Sequence, residues 1–376
     1  MTGYARLGSM LKIMGSTLLI FLRRYGHHFS LVMCVVGFAL DSTYLPSIDH
    51  TFTQIIALVY FGIATGSIVL SQAIQSNKIR ASWFILFAPV FPLAVQFVFG
   101  GLLSVVFVYY FRSASLLVSW PLVLLLGALM AGNELWRKRI EKLEFQVTVL
   151  FLLFLFFSIF AVPLYFGTIG TSIFLLSVAL SIVVLAAFIF LLSSVAWGVL
   201  RDNALRLFLM LTGSAFLVVG FYFANILPPI PLVTRADGLY HSLSRDVFGV
   251  YIGGAEQESW NQRYLSFFYP SEYHRVNDEP IYFYSAIYAP AVLHTPIVHV
   301  WQYWDEPSGK WITSSRVEFP MSGGRERGYR GYSEKESVTS GLWRVLVETR
   351  DGRTISQKKF NVVEVTTSYT TELKTL

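Results

Sequence analysis

The stretch "GLWRVLVETRDGRTISQKKFNVVEV", Gly341 to Val365, decides how the C-terminal part of this chain folds. Trp343, Val345 and Val347 alternate with Arg344, Leu346 and Glu348, the period-two pattern of a strand covered on one face. Asp351-Gly352 follows as a tight turn, since glycine adopts the backbone angles that a short hairpin connection needs. The returning strand sets Phe360 and Val362 on the covered side. Upstream, "PIYFYSAIYAP", "PIVHVWQYWDE" and "KWITSSRVEFPM" read the same way, as short strands punctuated by turns. The pattern predicts an all-β sandwich of immunoglobulin or fibronectin type over residues 279–366. Residues 229–278 read as a linker or irregular segment, and 367–376 as a C-terminal tail. The chain's single cysteine, Cys34, leaves no pair for a disulfide, which excludes the antibody class, and supplies no cysteine-based zinc site.

Before Pro228 the chain changes character. Of 376 residues 54% are hydrophobic and only 14% charged, with a mean hydropathy of +0.55, too apolar for an ordinary soluble globule. Thirteen of the 29 Lys and Arg but only six of the 23 Asp and Glu precede residue 229, so the first part is basic (13 − 6 = +7) and the rest nearly neutral (16 − 17 = −1). Apolar runs near 29–46, 53–73, 82–98, 116–133, 147–165, 171–197 and 205–227 approach the roughly 20 residues that span a bilayer, predicting a membrane domain of about seven helices over 27–228. Within 82–111, Pro89, Pro92 and Gly100-Gly101 leave two readings, a long kinked helix or a helix followed by a re-entrant piece. Leu7, Met10, Leu11, Met14, Leu18, Phe21 and Leu22 recur at helical spacing, predicting either an interfacial helix over 1–26 on the cytoplasmic face or a simple lead-in to the first span.

Loop charge sets an orientation. Arg23-Arg24, then Lys78 and Arg80, then "WRKRIEK" (Trp136 to Lys142), then Arg201 and Arg206 fall in alternate connections, and only Arg112 breaks the pattern. By the positive-inside rule these loops and the N-terminus are cytoplasmic and the C-terminal domain lies outside the cytoplasm. No Asp, Glu, Lys, Arg or His lies deep in an expected span, which argues against an ion-coupled transporter. Gln54, Gln96 and Asn225 read as interhelical hydrogen-bond partners.

"VWQYW", "GGRERGYRGYS" and "GLWRVLVETRDGR" with a closing "FNV" resemble the bacterial family catalogued as domain of unknown function 2914. The stretch "FVFGGLLSVVFVYYFRSASLLVSWPLVLLLGALMAGNE" is similar to the membrane module that accompanies that domain in some bacteria. The resemblance implies a fold and a setting in the bacterial cytoplasmic (inner) membrane; it carries no activity and no catalytic residue.

The chemistry-bearing residues point the same way. There is no G-x-S-x-G, Walker loop, H-E-x-x-H or Rossmann glycine fingerprint, so no catalytic residue is assigned. His241, His274, His294 and His299 follow no ligand spacing, and no metal or cofactor is expected. Candidate binding residues are Arg325, Arg327, Tyr329, Arg330 and Tyr332 of "GGRERGYRGYS", whose guanidinium forks suit phosphate or carboxylate unless Glu326 and Glu334 partner them. Trp301 and Trp304 join them as residues that either fill a β core or stack on a ligand. A near-neutral domain outside the cytoplasm is no nucleic-acid binder. The expected partners are the lipid bilayer and an envelope protein, glycan or anionic lipid headgroup. Two functions remain open: a non-enzymatic envelope protein displaying the sandwich, or a membrane enzyme or lipid- or glycan-handling protein with a site between helices and sandwich, drawing on Arg245, Asp246, Glu256, Glu258 and Arg263.

Overall fold

The computed structural model describes residues 51–113, 116–135, 142–257, 270–276, 278–324, 327–366 and 370–376. The expected helix over 1–26 and the first expected span lie outside them. Two compact units are formed, one from the chain up to Tyr109 with Val123–Val162 and Phe174–Gly220, the other from Tyr110–Leu122, Pro163–Ile173 and Phe221–Leu376.

Helices come first: α1 (Thr51–Gln75), α2 (Ser82–Phe87), α3 (Val90–Ser113), α4 (Leu116–Leu135), α5 (Leu143–Phe166), α6 (Thr171–Asp202) and α7 (Ala204–Phe223). Phe52–Gln75, Val90–Phe111, Leu143–Phe166, Thr171–Asp202 and Ala204–Phe223 are long and apolar enough to cross a bilayer, and α4 holds a shorter apolar stretch, Val118–Asn133. In the first unit α5 is largely enclosed, whereas α6 and α7 leave most of their apolar surface uncovered, Phe190 and Phe216 being 81% and 77% exposed. Apolar surface of that extent marks a place for contact with lipid or with another protein.

The stretch 82–111 divides at Ala88-Pro89, and residues 98–111 continue the helix α3. Pro92 falls in the first turn of α3, where an N–H has no intrahelical acceptor to lose. Gly101 allows close helix approach, because a Cβ there would stand 2.6 Å from the Tyr60 ring. Gln96 and Asn133 exchange side-chain-to-carbonyl hydrogen bonds (3.0 and 3.3 Å), the interhelical role expected of Gln96, and Ser158 Oγ meets Ser181 Oγ at 2.6 Å.

The second unit is β-rich: β1 (Val233–Tyr240), β2 (Ser242–Arg245), β3 (Tyr251–Glu256), β4 (Ser271–Val276), β5 (Ile281–Tyr288), β6 (Ile297–Asp305), β7 (Lys310–Phe319), β8 (Tyr329–Lys335), β9 (Gly341–Thr349), β10 (Thr354–Val365) and β11 (Thr371–Thr375). They form three sheets, ordered β1-β5-β8, β4-β10-β9-β6-β7 and β11-β3-β2. All pairings are antiparallel except β4 with β10. The first two sheets share one core: Ile281, Phe283 and Ile287 from one, and Tyr273, Ile297, Trp301, Trp343, Val345, Val347, Phe360 and Val362 from the other. Trp301 sits at its centre, edge-on to Phe283 and Phe360 at 6.3 Å. The small third sheet packs on the other face of β5 through tyrosines, Tyr251 and Tyr284 lying 5.6 Å apart.

Two expectations fail here. Residues 229–278 carry four strands instead of an irregular linker, and the expected tail 367–376 supplies β11. Their buried positions explain the miss: β4 alternates but buries Ser271, Tyr273 and Arg275, and β3 buries the consecutive Gly253, Gly254 and Ala255, so neither shows a period-two run of aliphatics. Arg275 is tolerated inside because its guanidinium donates to the carbonyls of Glu279, Val338 and Glu336 at 2.7–2.9 Å.

The hairpin of the opening stretch forms as read. Gly352 has φ +79°, Gly352 N donates to Thr349 O (3.0 Å), and Trp343, Val345 and Val347 are buried. No local pattern announces the task of Arg353. It is buried, lies over the Tyr222 ring at 3.2 Å, and donates to the carbonyls of Tyr222 (3.2 Å) and Leu227 (3.5 Å), which satisfies acceptors left open at the end of α7.

Trp343→Ala in the full-length protein is expected to cost about 3–5 kcal/mol as a large-to-small change in a packed core. Arg327→Gln, at an exposed position, should change stability by less than about 1 kcal/mol in the same denaturant titration. Equal costs for the two would mean that Trp343 does not sit in the core.

Candidate functional site

A partly open cleft of about 140 Å³ lies among β1, β3, β4 and β11, lined by Asp237 to Tyr240, Ala255 to Gln257, Ser271 to His274, and Lys374. The turn from β1 into β2 places His241 over it, with His241 N donating to Gly254 O (2.8 Å). The alternation of β4 sends Tyr273 inward and leaves His274 half-buried on the opposite side. Glu256, at the end of β3, joins the two: its Oε1 is 2.9 Å from His241 Nε2, its Oε2 is 2.9 Å from His274 Nδ1, and Oε1 also accepts the His274 backbone N–H at 2.7 Å. His241 stacks on the Tyr273 ring at 4.4 Å, nearly parallel.

Burial by itself would raise the Glu256 carboxyl, but hydrogen bonds from His241 and His274 and from the His274 backbone outweigh it and hold the group below its ordinary range. An ionised carboxylate only accepts, so each imidazole carries a proton on the nitrogen facing it. The other ring nitrogens, His241 Nδ1 and His274 Nε2, lie 4.0 Å from Glu279 and 3.9 Å from Glu272. Burial pushes the Tyr273 phenol well up, and its O–H donates to Tyr240 O (3.3 Å). At the cleft wall Ser271 Oγ is buried and finds no hydrogen-bond partner among the described residues. Also among the described residues, no three His, Cys, Asp or Glu are disposed to hold a metal ion. Scanning for ligand spacing misses this pairing because 33 residues separate His241 from His274; only the fold brings them to one carboxylate.

The residues singled out beforehand are dispersed. Trp301 is fully buried in the core, where its indole N–H donates to Ser333 Oγ (3.0 Å), so it presents no surface. Trp304 is half-buried against Trp311 at 5.4 Å, and Arg344 covers Trp311 at 4.3 Å. Arg325 lies outside the described residues and Arg327 is exposed at the turn before β8. Tyr329, Arg330 and Tyr332 are not loop residues: they form β8, opposite Ile287, Ala286 and Tyr284 of β5. The glycines of that motif answer to packing, since a Cβ on Gly331 would meet the Phe319 ring at 2.4 Å. Glu334 accepts the Tyr282 hydroxyl at 3.1 Å. Of the group Arg245, Asp246, Glu256, Glu258 and Arg263, the last two lie outside the described residues; Asp246 closes the β2–β3 turn, and Glu256 belongs to the cleft.

His299, fully buried between the two large sheets, links Ser285 Oγ (2.8 Å from Nε2) and Ser333 Oγ (2.9 Å from Nδ1). Desolvation lowers its pKa to about 3, so the ring stays neutral. One assignment accounts for all three contacts: Trp301 N–H to Ser333, Ser333 O–H to Nδ1, and Nε2–H to Ser285. This Ser–His contact is enclosed by Phe283 and Phe319, each edge-on at 4.9 Å, and is a structural rung, not a nucleophile.

Residues 294–362 match the family model described as "Protein of unknown function (DUF2914)", so the C-terminal region carries a domain of that family. The match covers β6 to β9 and most of β10; the cleft residues lie outside it. No curated protein matches the chain. Among solved structures, the Pseudomonas fluorescens alkylpurine DNA glycosylase AlkC bound to DNA containing an abasic site analog aligns over 80% of this chain and 97% of that one, at 11% identity and a TM-score of 0.20, too low to establish a shared fold.

The two histidine environments predict separable acid sensitivities. His299 is lowered to about 3 in the folded state against an ordinary 6.5, so its contribution is complete above pH 6.5 and is lost as pH falls toward 3. Glu256 is also lowered, so its contribution is complete above the ordinary carboxylate value and is lost as pH falls through the folded one. His299→Gln should flatten stability against pH below 6.5, and Glu256→Gln only in the more acidic window. Unchanged profiles in both variants would refute the assignment.

Proposed function

We propose that this protein is a multi-pass protein of the bacterial cytoplasmic membrane that displays an immunoglobulin-like β-domain outside the cytoplasm, and that the domain binds a hydroxyl-rich envelope glycan in the Glu256 cleft. The cleft itself carries the reading. Its walls mix acceptors (Asp237, Glu256, Glu272), a cation (Lys374) and a buried hydroxyl without a partner (Ser271). Sugar hydroxyls, which both donate and accept, suit that mixture of acceptors, cation and hydroxyl. The membrane setting draws support from the uncovered apolar helices and the alternating loop charges. The immunoglobulin-like description draws support from two facing sheets around Trp301 and from the parallel edge pair β4–β10.

Full-length protein in lipid nanodiscs should bind soluble glycan strands released from bacterial envelopes in isothermal titration. Ser271→Ala and Lys374→Gln should each weaken binding by about tenfold, the scale of one lost hydrogen bond to a buried or charged group. Binding that ignores both changes would move the site elsewhere.

Orientation is tested with single cysteines in a Cys34→Ala background. A membrane-impermeant thiol reagent on intact cells, with the outer envelope opened, should label Ser340→Cys and spare Lys142→Cys. The opposite labelling would invert the topology.

A further inference from the structure

The β2–β3 hairpin ends in Asp246-Val247-Phe248-Gly249, a tight turn built with unusual care. Asp246 Oδ1 accepts the backbone N–H of Phe248 (2.9 Å) and of Val250 (2.7 Å), Gly249 N donates to Asp246 O (3.0 Å), Asp246 N donates to Val250 O (2.9 Å), and Gly249 takes φ +81°. Solvated turns of this kind fill their two outermost positions with Asn, Asp, Ser or Gly. Here those positions hold Val247 and Phe248, 94% and 88% exposed. Two large apolar side chains are thus held out in water on a fixed support.

Behind the tip the character changes within one residue. Arg245, exposed, lies over the Tyr251 ring at 5.6 Å; Tyr251 contacts Tyr332 at 6.0 Å, and Tyr332, 46% exposed, leads to Tyr282 at 6.4 Å. An apolar tip followed by a collar of arginine and tyrosine matches the layering of a bilayer, with hydrocarbon inside and amphipathic rings and cations at headgroup depth. Arg245 suits an anionic headgroup.

We infer that Val247 and Phe248 form a finger that inserts into the bilayer, with Arg245, Tyr251 and Tyr332 at headgroup level. The occupant is a lipid bilayer, because an apolar tip backed at once by arginine and tyrosine follows the order of hydrocarbon and headgroup. This assigns Tyr332 of the "GGRERGYRGYS" motif to a lipid interface. It rests on the membrane reading of the helices and is independent of the glycan cleft.

The test uses the full chain with Cys34→Ala and either Phe248→Cys or Ser340→Cys, labelled with the environment-sensitive fluorophore NBD, in nanodiscs of phosphatidylcholine and phosphatidylglycerol. Co-elution with the nanodiscs checks the membrane reading on its own; protein that stays outside them refutes that reading and the finger together. Among incorporated protein, the probe at 248 should emit to the blue of the probe at 340 and lose about half its emission when doxyl lipids replace ordinary ones, as a side chain at the headgroup–acyl boundary does. The probe at 340 should not respond. Val247→Asp should abolish quenching at 248 while leaving co-elution unchanged. Emission from 248 that resembles the water-exposed control would overturn the finger. A blue shift that doxyl lipids do not quench, and that fades on dilution, would assign the tip to contact with a second copy and equally overturn it.

Discussion

The buried chain from the Trp301 indole through Ser333 and His299 to Ser285 is the contact on which the β-rich unit depends. It runs from β6, in the five-stranded sheet, to β8 and β5 of the three-stranded one, so it fixes their relative register where hydrophobic packing alone is non-directional. A slip of one residue in any of the three strands would strand a polar atom in the core. Those atoms have no water to fall back on, and an unmet hydrogen bond in such surroundings costs more than a made one contributes. The motif glycine Gly331 serves the same layer by leaving room for the Phe319 ring against His299.

Around that rung the unit is assembled from polar fasteners as much as from apolar surface. Arg275 ties β4 to the segment before β9 through two carbonyls and to the turn before β5 through a third, and Arg353 closes the end of α7 and the turn after it through two more. Both guanidiniums are buried with their donors directed at carbonyl oxygens, the arrangement that makes a buried cation tolerable. Glu256 does the same with the charges reversed, one carboxylate between two imidazoles. The small third sheet is held by tyrosines, whose hydroxyls and ring edges keep its contacts partly wet.

This division has a functional sense. The tight aromatic core is where the family match lies, and it is saturated, with Trp301 and the Ser–His pair consumed by structure. Among the described residues, polar capacity left unspent lies at the periphery, where β1, β3, β4 and β11 make a cleft and β2 and β3 a hairpin with an exposed apolar tip. The rigid core positions the variable surface.

The sequence by itself determined the two-part plan. Long apolar runs and alternating strands have different periods, and each period is a local property that survives without knowledge of neighbours. It also determined the hairpin at Asp351-Gly352, the inward set Trp343, Val345, Val347, Phe360 and Val362, and the interhelical role of Gln96. Only the tertiary structure decided the rest. Both parities of β6 are buried, Trp301 among them, because a second sheet covers one face while Val298 and Val300 close on Leu346 across the other. Strands β3 and β4 escaped notice because glycine, alanine, serine, tyrosine and arginine occupy their buried positions, and β1 and β2 because they bury too few residues to show a period. The Glu256 cleft was illegible because its histidines lie on separate strands, and their meeting depends on the pairing of β2 with β3 and of β4 with β10, long-range contacts that no local spacing encodes.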